Sequence, residues 1–148
     1  MFTAAPGTLT RQPAADGWLD GVERRLPSCS AEDAALATDV VLEALAGSLP
    51  RALIGTVDEA LRPEMRLRFL RAANTARLLG IEPEDSLVGA VAAGLPPDFP
   101  FHACLATRTV LAVIAEHVPA SIAQRLVNAG PQHWRRLWPA SVSKATAI

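Results

Sequence analysis

Two stretches decide the fold: Leu36-Ala37-Thr38-Asp39-Val40-Val41-Leu42-Glu43-Ala44-Leu45-Ala46 and Leu105-Ala106-Thr107-Arg108-Thr109-Val110-Leu111-Ala112-Val113-Ile114-Ala115. They stand 69 residues apart (36 to 105) and share Leu-Ala-Thr, Val-Leu and a closing alanine. In the first, Glu32, Asp39, Glu43 and Gly47 trace a polar stripe, while Leu36, Val40, Val41, Leu42 and Leu45 fill the remaining surface of a helix. The second carries Val-Leu-Ala-Val-Ile-Ala over 110–115 and is expected to be buried nearly all round.

The same displacement places Val22 on Val91, Leu26-Pro27 on Leu95-Pro96, Pro50 on Pro119 and Ala60 on Ala129. With a slip of one residue, Pro63 falls on Pro131, Arg68 on Arg136, Phe69 on Leu137 and Leu70 on Trp138. Alanine and leucine matches come easily in this composition, but aligned prolines together with Leu-Ala-Thr and Val-Leu do not. The pattern reads as an internal duplication.

The punctuation is helical throughout. Ser30 is an N-cap residue with Asp33 three positions on as a capping-box partner. Pro50, Pro63, Pro83, Pro119 and Pro131 each precede a helix-like stretch, where a missing N–H costs nothing. Gly80, Gly94 and Gly130 fall where helices would end. Trp18, Val22 and Leu26 share a face at four-residue steps. Strand signals are missing: there is no tyrosine, no sustained alternation and no Asn-Gly or Asp-Gly. The expected fold is all-α, a compact helical bundle of about eight helices from two tandem four-helix repeats. The helices fall near 17–26, 32–47, 50–61, 63–79, 84–93, 101–117, 120–129 and 131–137.

Each repeat is then a helix ending in Leu-Pro, a long apolar helix and two shorter helices. Four such helices leave an apolar face open, so packing unit on unit should bury 32–47 against 101–117 at the centre. The expected domain is 17–139, with repeat units at about 17–79 and 84–139. Residues 1–16, rich in Ala, Pro, Thr and Gly without an apolar period, read as a disordered arm, and 140–148 as a flexible tail.

These motifs resemble domain-of-unknown-function family 2267. The family motif, a helix with Ala-Thr-x-x-Val-Leu-x-x-Leu followed by a proline and a terminal Leu-Arg-x-Leu-Trp-Pro, is matched by Ala37 to Leu45 and Ala106 to Ile114. Arg135-Arg136-Leu137-Trp138-Pro139 matches the ending. The resemblance covers about residues 17–139. It implies a small bacterial helical protein with a duplicated motif. The family carries no assigned activity, so it transfers no functional residue.

At 148 residues the chain is long enough to bury a core without disulfides, and half of its residues are apolar. The formal net charge of −1 excludes a global field toward nucleic acid or an anionic membrane. Cys29 and Cys104 form no CxxC and are expected to be reduced, mostly buried thiols. No basic start with an apolar run marks a signal peptide, and the longest strongly apolar run, Val110 to Ala115, is too short to span a bilayer. A cytoplasmic protein with no membrane association is the expectation.

No catalytic, cofactor or metal site emerges. His102 and Cys104 are two apart and Glu116-His117 follows, but a zinc site needs three or four converging ligands. No nucleophile motif and no glycine-rich phosphate loop occurs. One charged feature stands out. Arg62, Arg66, Arg68, Arg71 and Arg77 lie along one helix with Glu64 as its only acid, and His133, Arg135 and Arg136 occupy the matching region. Glu32, Asp33, Asp39 and Glu43 make an earlier helix acidic. These charges read either as solvated faces with intramolecular pairs or as an interaction strip, docking an acidic partner or nucleic acid, over Arg62, Arg66, Arg68, Arg71, Arg135 and Arg136. Trp134 and Trp138 either cap the core or form an apolar patch. The leading functional expectation is a non-enzymatic module acting through a protein partner or as a homo-oligomer. The alternatives are a nucleic-acid-associated protein using the arginine helix, or a metal-binding or enzymatic protein using His102, Cys104, His117 or His133.

Overall fold

A computed structural model of the chain describes residues 17–26, 30–61, 63–79, 87–129 and 132–139. The expected arm (1–16) and tail (140–148), with Cys29, Arg62, Gly80, Pro83, Gly130 and Pro131, lie outside these residues, as do the side chains of Trp18, Glu64 and His133. Seven α-helices are described: α1 (Gly17–Arg25), α2 (Ala31–Ser48), α3 (Arg51–Ala60), α4 (Pro63–Leu79), α5 (Leu87–Gly94), α6 (Ala103–His117) and α7 (Ala120–Ala129). A 3-10 helix follows at Gln132–Leu137. No strand occurs among the described residues.

The count corrects the expectation of about eight α-helices, and the reason is local. Pro139 disfavours helical backbone at Trp138 and supplies no N–H of its own. The preceding six residues tighten, and Trp138 N–H reaches the carbonyl of Arg135, three residues back, at 3.3 Å. α4 meets no such block and runs on to Leu79.

The starts of the helices follow their caps. Ser30 Oγ accepts from the backbone N–H of Asp33 at 3.0 Å. Pro50 and Pro119 stand just before α3 and α7, where their carbonyls accept the first helical bonds from Leu53 and Ile54, and from Ile122 and Ala123. Pro63 is the first residue of α4. Gly94 ends α5, yet its service is close packing: a Cβ there would stand 2.8 Å from Cγ1 of Val40.

α2 and α6 pack together at the centre. Val41, Leu42, Val110, Leu111, Val113 and Ile114 are all buried, and such side chains each contribute about 1.5–3 kcal/mol on leaving water. α1 packs on both α2 and α6, as does α5. α4 covers the outer side of α2, and α3 meets both α4 and α7. Trp134 and Trp138 belong to the core, at 2% and 4% exposure. The expectation of buried thiols fails for Cys104, which is exposed in the first turn of α6.

Candidate functional site

The residues of interest gather on α4 and the helices beside it. α4 turns Met65, Phe69, Ala72 and Ala76 inward, at steps of four, three and four, and all four are buried. The opposite face carries Leu67, Leu70, Arg71, Asn74 and Leu78, within about 60° of one line on a helical wheel. Leu67 is 61% exposed, Leu70 39% and Leu78 85%. Among the described residues only Leu105, on α6, joins them as a large exposed apolar side chain.

Beside this face lies a cleft of about 370 Å³. Its apolar lining includes Ala46 and Leu49 at the end of α2, Ile54 of α3, and Leu70, Ala73 and Ala76 of α4. Its polar side chains are Arg51, Asn74 and Arg77. The lining draws on the early part of α3 and the later part of α4, away from their connecting turn at Leu61. Nearer that turn the helices are tied by a fork. Arg66 Nε and Nη2 donate to Oδ1 and Oδ2 of Asp58 at 3.3 and 3.2 Å. The Asp58 hydrogen bond, reinforced by its charge, holds the Arg66 guanidinium above its ordinary pKa.

The expected arginine strip is distributed among several partners. Arg66 turns to α3, and Arg68 Nη1 donates to Asp39 Oδ1 on α2 at 2.5 Å. Arg77 Nη2 donates to Asn74 Oδ1 at 2.7 Å within α4. Arg71 is exposed and makes no ion pair with a described residue. Arg135 Nη2 donates to Asn128 Oδ1 of α7 at 3.3 Å, and Arg136 is exposed on the 3-10 helix. Near Asp39, the Glu43 carboxyl is raised above its ordinary pKa, first by burial and second by the charge of Asp39.

The histidines and the described cysteine do not converge. His102 stands before α6 with its side chain exposed and no capping bond. His117 Nδ1 lies 2.8 Å from the carbonyl of Val113, within its own helix. Glu116 pairs with Arg25, joining α6 to α1. Among the described residues, no three of His, Cys, Asp and Glu come together as metal ligands do.

The model of an uncharacterised conserved protein family, DUF2267, matches residues 15–137. This chain belongs to the DUF2267 family. A comparison with curated proteins finds no match. Among the described residues of this DUF2267 protein, no helix is long and apolar enough to cross a membrane.

Reading the sequence missed the leucines of α4 and the cleft. The signal was present in part. Once Met65, Phe69, Ala72 and Ala76 are taken as the inward row, Leu67, Leu70 and Leu78 fall outside it. The cleft had no such signal, because its lining comes from three separate helices, α2, α3 and α4.

Proposed function

We propose that this DUF2267 protein is a non-enzymatic binding module that engages another protein through the outer face of α4. One observation carries the reading: three large leucines stand exposed on a single helix face, beside a cleft with an apolar floor. Such surface is costly to leave in water unless something covers it. Arg66 and Arg68, both engaged by carboxylates of neighbouring helices, are poorly placed to serve as free phosphate contacts, which favours protein over nucleic acid.

The test is site-specific photocrosslinking in the native host. A photoreactive residue at Leu67 gives a discrete crosslinked species, and one at exposed Ser121 on α7 gives none. Identical patterns from the two positions contradict the reading.

The scaffold is best read as a doubled unit. Displacing α3 (Arg51–Ala60) by 69 gives the bounds of α7, Ala120–Ala129. The last residue of α2, Ser48, falls on the last residue of α6, His117. Val22 and Val91, Ala37 and Ala106, and Leu42 and Leu111 are buried at both places. The burial of the last elements favours an uninterrupted register over the one-residue slip: buried Met65 and Phe69 then correspond to buried Trp134 and Trp138, whereas the slip sets exposed Leu70 on Trp138.

A further inference from the structure

We propose that the occupant of the cleft between α3 and α4 is an amphipathic helix of a partner protein whose apolar stripe is flanked by Glu and Asp. This deepens the binding reading above and rests on it.

The charge around the cleft selects the sign of the partner. Arg51 comes from α3 and Arg77 from α4, and no carboxylate is among the described residues that line it. Arg71 adds a third guanidinium on the outer face of α4, between Leu67 and Leu78. Among the described acids, Asp58 holds Arg66 and Asp39 holds Arg68, while Glu43 and Glu59 lie outside the lining of the cleft. The described lining is therefore an apolar floor bordered by positive charge, although the chain as a whole is nearly neutral. A basic or neutral partner would leave those guanidiniums without a counter-charge at a closed interface, which is costly.

The shape selects the kind of partner. The exposed leucines run from Leu67 to Leu78, eleven residues of helix or about 16 Å. A small ligand could fill the cleft but would leave Leu67 and Leu78 in water. A helix laid along α4 covers the ridge and sets apolar side chains into the space over Ala46, Ala73 and Ala76, where small residues leave room. Acidic residues one turn to either side of those anchors then meet Arg51 on one flank and Arg71 or Arg77 on the other.

Fluorescence anisotropy with two labelled synthetic helices tests this. Both carry leucine at the same i, i+3, i+4, i+7 positions; one has Glu on its flanks and the other Lys. The full chain binds the Glu peptide, and binding weakens as salt rises. Arg51→Glu with Arg77→Glu lowers that affinity about tenfold or more and gives affinity for the Lys peptide instead. Both arginines are exposed, so the variant keeps the parent melting curve. Equal binding of the two peptides, or no response to the charge reversal, overturns the proposal. If neither peptide binds and sedimentation shows a dimer lost on Leu70→Ser, a second copy is the occupant. If the Glu peptide binds only after Glu82, Glu84 and Asp85 are neutralised, the chain's own segment is the occupant. Either result overturns the acidic-partner proposal while leaving a role for the α4 face. Loss of any crosslink at Leu67 overturns the binding reading itself.

Discussion

Thr38 and Thr107 make the same bond in two places: each hydroxyl donates to the carbonyl four residues back, Ala34 in one case and Ala103 in the other, both at 2.7 Å. Both side chains are completely buried, one on α2 and the other on α6. A buried hydroxyl needs a partner, and its own helix is the nearest source. The carbonyls that accept keep a second lone pair for the helical ladder. Replacing either threonine with valine removes the donor together with its need, so each variant should lose no more than about 1.5 kcal/mol. Serine, which keeps the hydroxyl but removes the methyl, should cost more than valine at both sites. Urea unfolding of the four variants checks the order, and a larger loss for valine contradicts it.

Leu42 of α2 and Leu111 of α6 have no solvent exposure and belong to one hydrophobic core. Leu111→Asp places a charge there with no partner, a change expected to exceed about 4 kcal/mol and unfold the domain. Leu111→Ala should leave it folded but weakened by about 2–5 kcal/mol. Far-UV circular dichroism separates the two. An aspartate variant with parental melting would remove α2 and α6 from the centre of the fold.

Two glycines make opposite predictions. Nothing lies within 4 Å of a Cβ added at Gly55, which is exposed in α3, so Gly55→Ala should stabilise by about 0.5–1 kcal/mol through helix propensity. At Gly21 a Cβ would stand 3.0 and 3.1 Å from the two methyl groups of Val113, itself fully buried. Gly21→Ala should therefore destabilise by about 1 kcal/mol or more, despite the same propensity gain. Thermal melts of the pair suffice, and a shift in the same direction for both refutes the packing at α1 and α6.

The Glu43 carboxyl is raised from 4.5 by burial and then by Asp39, whose own partner is Arg68 from α4. Its charged form is thus less favourable in the folded chain than in the unfolded one. The group imposes no penalty below 4.5, where both states hold the proton, and stability falls as pH rises through the folded value. Glu43→Gln should raise the melting temperature at about pH 7 and lose that advantage by about pH 4. An unchanged difference at both pH values contradicts the assignment.

Much of this fold was legible because its signals are local. Proline at the start of α3, α4 and α7, Ser30 before α2, and the apolar period of α2 and α6 each constrain a short stretch, and the helix bounds follow within a few residues. A last helix was expected near 131–137, and only its 3-10 geometry escaped, because that depends on Pro139 acting backward on residues whose composition suits either geometry. Cys104 was expected inside on residue type alone, but its place in the first turn of α6 puts it on the surface. The arginines were visible as a row along α4. Their partners, Asp58 and Asp39, come from α3 and α2, and only the packing of helices brings those carboxylates to them. The candidate cleft is likewise a product of three elements and has no continuous stretch of sequence to announce it.

The proposed binding surface requires that the outer leucines of α4 contribute nothing to the core. The direct measurement is a paired one on Leu67→Ser with Leu78→Ser, with a photocrosslinker at Asn74. The expected result is an unchanged melting temperature and loss of the crosslinked species. A melting temperature lowered by several degrees with the crosslink intact would contradict it.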